Sequence, residues 1–266
     1  MSLHPANPKI DIIYQDEQLL VINKPSGLSV TKERTGSPSL LDLLKKHFAE
    51  QLRLIHRLDK ETSGVLVLAK SKQTQTLLSQ LFEKRLVKKT YLALAVGAPA
   101  STSGTIVAPI APKSENQNIF HIDNKKGKSA ETGWRILANF GSVFLLAVNP
   151  LTERTHQIRI HLPSIGLNLA VDPLYGDSKG LFLSDFKTSY KLGKNKTEKP
   201  LIDRLTLHAY QLEFAYPPDC PRLFIAPLDK TFKAALKMLT KYNPKGPAAF
   251  AQPETYHKIL AASKFD

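Results

Sequence analysis

An α+β fold with strands carrying the core is what this sequence predicts, and two observations lead there. Its apolar runs are short, bounded by turn residues and partly β-branched, as at 65–69 and 143–148. Helical patterns are present but do not alternate regularly with those runs, which separates the chain from a doubly wound fold. At 266 residues it is long enough to bury a proper core.

The elements follow in order. Apolar segments at 11–14 and 19–22 flank a polar turn and read as a β-hairpin, closed by Pro25-Ser26-Gly27. Residues 37–50 read as a helix: Ser39 caps it, Asp42 follows three positions on, and Leu41, Leu44 and Phe48 share a face. The 65–69 run is a buried strand. Residues 71–86 form a second helix with Leu77, Leu78, Leu81 and Phe82 as its stripe. Lys84, Arg85, Lys88 and Lys89 follow, where cations suit the helix dipole and equally suit contact with phosphate. A strand is expected at 91–96, a polar, flexible stretch at 116–128, and a buried strand at 143–148.

In 156–165 the spacing of Ile158, Leu162 and Ile165 fits a helical face, while Pro163 limits its length. A short helix capped by Thr155 and ended at Gly166 is expected. Residues 178–200 are Lys-rich and read as a long exposed loop. Strands resume around 205–214, and 230–241 is an amphipathic helix with Phe232, Leu236 and Leu239 on one face. A short extension at 1–10 and a peripheral segment at 241–266 flank one domain at 11–240. There is no internal repeat.

The charge balance narrows the function. Lys and Arg number 37 against 23 Asp and Glu, a formal net charge of +14. Such a field attracts polyanions, of which nucleic acid is the commonest. The single cysteine, Cys220, excludes an intrachain disulfide and a multi-cysteine zinc framework, which suits a reducing compartment. The first ten residues carry no apolar signal region, and no apolar run reaches membrane-spanning length. A cytoplasmic protein without a membrane partner is expected. Gly127-Lys128-Ser129 resembles the end of a phosphate loop, but Ile122 stands where the first glycine belongs. His156 and His161 are five apart, the wrong spacing for paired zinc ligands on a helix. No metal site and no cofactor are expected.

The most informative stretch is His56-Arg57-Leu58-Asp59-Lys60-Glu61-Thr62-Ser63-Gly64. It sets a carboxylate between cations, ahead of a turn, at the mouth of a buried strand. A carboxylate held there can act as a nucleophile or a base. Alone, an Arg-x-Asp of this kind is more often a surface salt-bridge turn.

The whole string resembles the catalytic motif of the RluA family of RNA pseudouridine synthases, which runs His-Arg-Leu-Asp, two variable residues, Thr-Ser-Gly, then an apolar strand ending Ala-Lys, here Ala69-Lys70. Further segments resemble that family in the same order: Asn23-Lys24-Pro25-Ser26-Gly27 before it, then Lys89-Thr90-Tyr91, Arg154-Thr155-His156-Gln157-Ile158-Arg159, Asp172-Pro173-Leu174-Tyr175-Gly176 and Leu207-His208-Ala209. The likeness spans about residues 10 to 236. It implies a mixed, mainly antiparallel central sheet flanked by helices and loops around a central catalytic cleft. It also implies that the separate N-terminal RNA-binding domain of some relatives is absent.

By the same resemblance the reaction is the isomerisation of uridines in structured RNA, ribosomal or transfer, to pseudouridine. It makes Asp59 the essential catalytic residue, places Arg154 as its ion-pair partner, and makes Tyr91 the ring that stacks on the target base. The target must leave the RNA stack, with Arg57 as wedge or phosphate clamp. His56 joins it as a substrate-binding candidate, and Lys89, Arg159 and Lys60 are weaker candidates for contacts to the RNA backbone. The chain departs from the family pattern at Glu153, where Gly is usual, and at Val171, where Gly usually precedes the Asp. The Lys-rich 187–199 loop reads as solvated, with RNA contact as the alternative, and a monomer is expected. Two rival readings are an RNA-binding protein that kept the fold and lost catalysis, and a metal-dependent nuclease, for which the chain offers no convincing ligand cluster.

Overall fold

The computed structural model describes residues 10–33, 37–48, 51–113, 118–176, 179–188, 190–193 and 197–261. In chain order the elements are strands β1 (Asp11–Gln15) and β2 (Leu19–Lys24), helix α1 (Leu40–Phe48), strands β3 (Arg53–Leu54) and β4 (Ser63–Ala69), helix α2 (Lys72–Glu83), and strands β5 (Lys88–Gly97), β6 (Ser103–Val107), β7 (Ile110–Pro112), β8 (Phe120–Ile122), β9 (Glu131–Asn139) and β10 (Val143–Pro150). Helix α3 (Gln157–His161) follows, then β11 (Leu167–Leu169), β12 (Leu207–Ala215), β13 (Pro221–Ile225), α4 (Lys230–Tyr242) and α5 (Pro253–Ala261). The fold is α+β, as the sequence predicts: β1 with β2, β2 with β4, β5 with β10, β9 with β10 and β12 with β13 pair antiparallel, and β4 with β12 pairs parallel.

The chain divides into two compact units. The first holds residues 1–90 and 208–227. Strand β4 is its centre: all seven residues are buried. Along one edge β4 pairs with β2 from Leu19↔Ala69 to Lys24↔Gly64. Its other edge is shared. Strand β12 runs parallel to it at His208↔Ser63 and Ala209↔Gly64, and β3 runs antiparallel at Leu54↔Leu68 and Arg53↔Ala69. Between those two pairings neither strand reaches β4.

The 11–22 hairpin forms as β1 and β2. Helix α1 starts with the reciprocal cap its sequence predicts: Ser39 Oγ accepts from the Asp42 amide, and the Asp42 carboxylate accepts from the Ser39 amide and hydroxyl. Helix α2 is capped by Ser71, whose Oγ accepts from the Thr74 amide.

The second unit holds residues 91–207 and 228–264. Strand β10 is central here, pairing with β5 on one side and β9 on the other, and β6 extends β9. Its core gathers Trp134, Phe144, Leu146 and Val148 from the strands with Ile158, Leu162, Leu167 and Leu205.

Three expectations change in this unit. The stretch at 116–128, read as polar and flexible, contains β8 paired with β7 in its described part, followed by a turn in which Asp123 accepts from the Lys125 and Lys126 amides. The short helix predicted in 156–165 forms over Gln157–His161, with a 3-10 turn at Leu162–Ile165. Its cap position is His156 at φ +56 rather than Thr155, and no side chain caps it. The segment read as peripheral contributes to packing, since Phe250 (3 % exposed) and Ile259 (4 % exposed) are buried.

Gly64 governs the parallel pairing. Its φ is +120, and a Cβ built there would lie 2.2 Å from the Ala209 carbonyl oxygen and 2.6 Å from its nitrogen. Gly141, at φ +85, has open space around that position. Gly141→Ala is expected to cost about 1 kcal/mol, the strain of a left-handed backbone alone. Gly64→Ala is expected to cost upwards of about 4 kcal/mol, because backbone must move. Urea unfolding of the two variants measures the difference, and equal costs would remove the steric argument.

Candidate functional site

The Asp59 loop occupies residues 55–62, between β3 and β4. It begins opposite Leu68, where β3 is paired, and enters β4 at Ser63, so it crosses the part of β4's edge that no strand among the described residues covers. His56 fills that gap. Its Nε2 accepts the Val67 amide at 3.1 Å, and its ring stacks on Phe82 at 4.8 Å between centroids. A ring nitrogen that accepts an amide proton leaves the neutral ring's proton on Nδ1. Burial, and after it the charge of Lys89, push the His56 pKa down to about 3. Lys89 itself lies 5.8 Å from the centroid of the same Phe82 ring. His56 and Lys89, both read as substrate-binding, therefore share one aromatic platform, and His56 substitutes for a missing strand partner.

The tip of the loop is tied from below. Thr62 N–H donates to Asp59 O at 3.1 Å and closes the turn Asp59-Lys60-Glu61-Thr62. Lys24, at the end of β2, is fully buried. Its Nζ donates to the carbonyls of Lys60 (2.8 Å), Leu28 (2.7 Å) and Pro25 (2.9 Å). Three donors meet three acceptors, the condition under which a lysine tolerates burial. Gly27 N–H also donates to Lys60 O, and Ser26 Oγ donates to Glu61 O at 2.6 Å. The Lys60 side chain pairs with Glu33 at 2.9 Å. Leu58 is buried, while Arg57 is exposed and Asp59 half-buried. At the strand's start, Ser63 Oγ lies 2.8 Å from His208 Nδ1, and His208 Nε2 donates to Ala226 O.

The other predicted residues lie in the second unit. Tyr91 is half-buried on β5, opposite Val148 of β10. Arg154 follows β10, and Arg154 Nε donates to Ser129 O at 3.0 Å. Arg159 is 4 % exposed and forms a two-pronged pair with Asp172, Nε–Oδ2 at 2.9 Å and Nη2–Oδ1 at 2.6 Å. Burial pushes the Asp172 carboxyl up, but the Arg159 guanidinium and the amides of Leu174 and Tyr175 outweigh it and hold the pKa below the usual carboxylate value. The guanidinium also lies over the Tyr175 ring, and Tyr175 Oη is 2.8 Å from His156 Nδ1. Arg159 thus braces this corner from inside, a geometry that speaks for an internal strut rather than a phosphate contact.

Lys24, Asp172 and Tyr175 stand in the motif segments and Phe82 in a helix stripe, but the sequence assigned none of them a role at the site. Two signals were available for the first: it ends the apolar strand Leu19-Leu20-Val21-Ile22-Asn23-Lys24, and it stands in the Asn23-Lys24-Pro25-Ser26-Gly27 segment.

Two outcomes test these assignments. Arg159→Ala strands a buried carboxylate and is expected to cost about 3–5 kcal/mol of stability, whereas Arg57→Ala is expected to stay within about 0.5 kcal/mol of the parent while weakening RNA binding in a filter assay. The second concerns pH. The unfolded histidine value is 6.5, and folding depresses both His56, to about 3, and His161, through burial. The unfolded state therefore binds protons first, so this stability is present above 6.5 and is lost as pH falls toward the folded values. Urea stability is expected to fall from about pH 7 to about pH 4. His56→Gln, an acceptor that does not titrate, is expected to flatten part of that fall, and an unchanged slope would place the dependence elsewhere.

A sequence profile described as RNA pseudouridylate synthase matches residues 18–164. The chain is 36 % identical over 214 residues to the ribosomal large subunit pseudouridine synthase D of Borreliella burgdorferi, covering 74 % of this chain and 66 % of that protein. It is 36 % identical over 236 residues to the ribosomal large subunit pseudouridine synthase C of Vibrio parahaemolyticus, covering 87 % and 70 %. It thus spans about two thirds of the length of these relatives. The solved structure of human RNA pseudouridylate synthase domain containing 4 superposes with a TM-score of 0.64 at 28 % identity, over 86 % of this chain and 92 % of that one. With the profile covering more than half of the chain and these relatives beside it, the chain belongs to the RNA pseudouridine synthase family, of the RluA type that its motifs resemble.

Proposed function

We propose that this protein isomerises uridine to pseudouridine in ribosomal RNA, with Asp59 as the essential catalytic residue. Membership of the family and the names of its ribosomal relatives support the reaction class and the RNA. The observation that carries the assignment to Asp59 is its setting: a half-buried carboxylate on a turn whose next two carbonyls are held by Lys24, Gly27 and Ser26. A group that must meet a reacting atom within a fraction of an ångström needs such support.

The reaction breaks the bond between uracil N1 and the sugar, turns the base, and joins C5 to the same sugar carbon. The C5 proton goes to solvent and N1 gains one, so atoms balance without redox change, phosphate donor or metal. Asp59 acts on the sugar or the base. The target uridine leaves the stack, at a cost of a few kcal/mol. Exposed Arg57 takes its place or clamps a phosphate, Tyr91 offers its ring to the flipped pyrimidine, and Arg154 aims the carboxylate. Lys89 adds positive potential next to the loop and His56 acts through its shape. The field of a +14 chain draws the RNA in.

The test is tritium release. Cellular RNA from a strain lacking this protein, labelled at uridine C5, is incubated with the parent or with Asp59→Ala. Release by the parent alone, with both proteins equally folded, is the expected result. Release by Asp59→Ala would remove Asp59 from the mechanism. Tight RNA binding without release by either would favour the reading in which catalysis has been lost.

A further inference from the structure

A buried hydrogen-bond chain lies behind Arg154, and every member has a fixed direction. Gln157 Oε1 accepts the Arg154 amide at 3.0 Å, and Gln157 Nε2 donates to the Glu131 carbonyl at 2.9 Å. A backbone N–H can only donate and a carbonyl can only accept, so these two contacts settle which end of the Gln157 amide is which. The rest follows. Thr152 Oγ1 accepts the Glu131 amide at 2.9 Å, so its own proton goes to Gln157 Oε1 at 2.8 Å. Thr132 Oγ1 accepts from Gln157 Nε2 at 2.8 Å, so its proton goes to His161 Nδ1 at 2.9 Å. His161 Nε2 then donates to Ala108 O at 2.9 Å. The order runs from Glu131 N–H through Thr152, Gln157, Thr132 and His161 to the Ala108 carbonyl.

Thr132 and His161 are fully buried, and Gln157 and Thr152 nearly so. No member can turn without leaving a buried donor or acceptor unpaired. Arg154 is held at three points: its amide on Gln157 Oε1, its carbonyl by the Gln157 amide at 3.1 Å, and its Nε by Ser129 O. Ser129 directly precedes Ala130 and Glu131, the residue at the head of the chain. One rigid assembly therefore sets both ends of the arginine.

We propose that Thr132, Gln157 and His161 are positioning residues for the uridine isomerisation, fixing the direction of the Arg154 guanidinium from inside the second unit. The inference rests on the reading of Arg154 as a group that acts at the reacting carboxylate. Thr132→Val keeps the shape of the side chain and removes the one hydroxyl that joins Gln157 to His161. Thr132→Ser restores that hydroxyl.

The experiment is tritium release from C5-labelled RNA of the deleted strain, with kcat and KM measured for the parent, Thr132→Val, Thr132→Ser, Arg154→Ala and the double variant Thr132→Val/Arg154→Ala. Thr132→Val is expected to lower kcat on the order of 10- to 100-fold, the effect of a misplaced group, with KM within about threefold of the parent. Thr132→Ser is expected to recover kcat, and the double variant to fall no lower than Arg154→Ala alone. Parent-like kcat in Thr132→Val, or losses that multiply in the double variant, would overturn the proposal while Arg154 keeps its role. Parent-like kcat in Arg154→Ala would overturn the reading of Arg154 and the proposal with it. Thermal unfolding of each variant checks the fold. Should Thr132→Val not fold, Thr152→Val breaks the chain at its other end and is judged by the same outcomes.

Discussion

The close approach of β4 and β12 at Gly64 and Ala209 is the constraint on which the first unit is built. A side chain at 64 would occupy the partner's backbone, so two parallel strands can meet there only over a glycine. Because β12 touches β4 at this end and β3 at the other, the middle of β4's edge is left to the incoming loop. An unpaired amide in a fully buried strand is expensive. His56 answers it with a ring nitrogen instead of a backbone carbonyl. That exchange frees the loop's own backbone to turn, and the turn carries Asp59. The geometry around the carboxylate is a by-product of how a strand with two short partners keeps its hydrogen bonds.

Positive charge in this protein has two separate uses. Lys24 and Arg159 are buried and matched, the first by three carbonyls and the second by a carboxylate with two further amides of its own. They hold turns. Arg57 and the many exposed lysines are set in water, where their field reaches a polyanion across several ångströms and is screened by salt. A basic composition therefore does not by itself say which cations meet RNA. Burial divides them, and it moves Arg159 to the internal group.

Much of the fold was legible in the sequence because its signals were local. The 65–69 run, the 11–22 hairpin, the Ser39–Asp42 cap and the amphipathic 230–241 helix each announce themselves within a few residues. Strand β9 did not, since Thr132, Gly133 and Arg135 interrupt its apolar pattern and Trp134 stands alone. The cap position of α3 is His156 with no side-chain cap, and the Gln157 side chain ties the helix start from within the unit by accepting the Arg154 amide. The motif strings located the loop and its neighbours. They did not reveal what holds them, because the ties join residues far apart: Lys24 with Lys60, Thr132 with His161, Arg204 with Asp229. Hydrogen-bond direction is a property of the folded arrangement, and no spacing in the chain encodes it.

The burial of Lys24 links two things usually thought separable. If the 59–61 turn drifts, the Lys60 carbonyl leaves and buried Lys24 Nζ loses one of the three carbonyls that match it, keeping those of Leu28 and Pro25. Small shifts of the loop are thus penalised before any substrate arrives. A lineage carrying this arrangement has little freedom to relax the turn gradually, because drift of the turn also passes through lost stability. The fold itself acts as a proofreader of the loop, and a chain that still folds well still presents its carboxylate where β2 puts it.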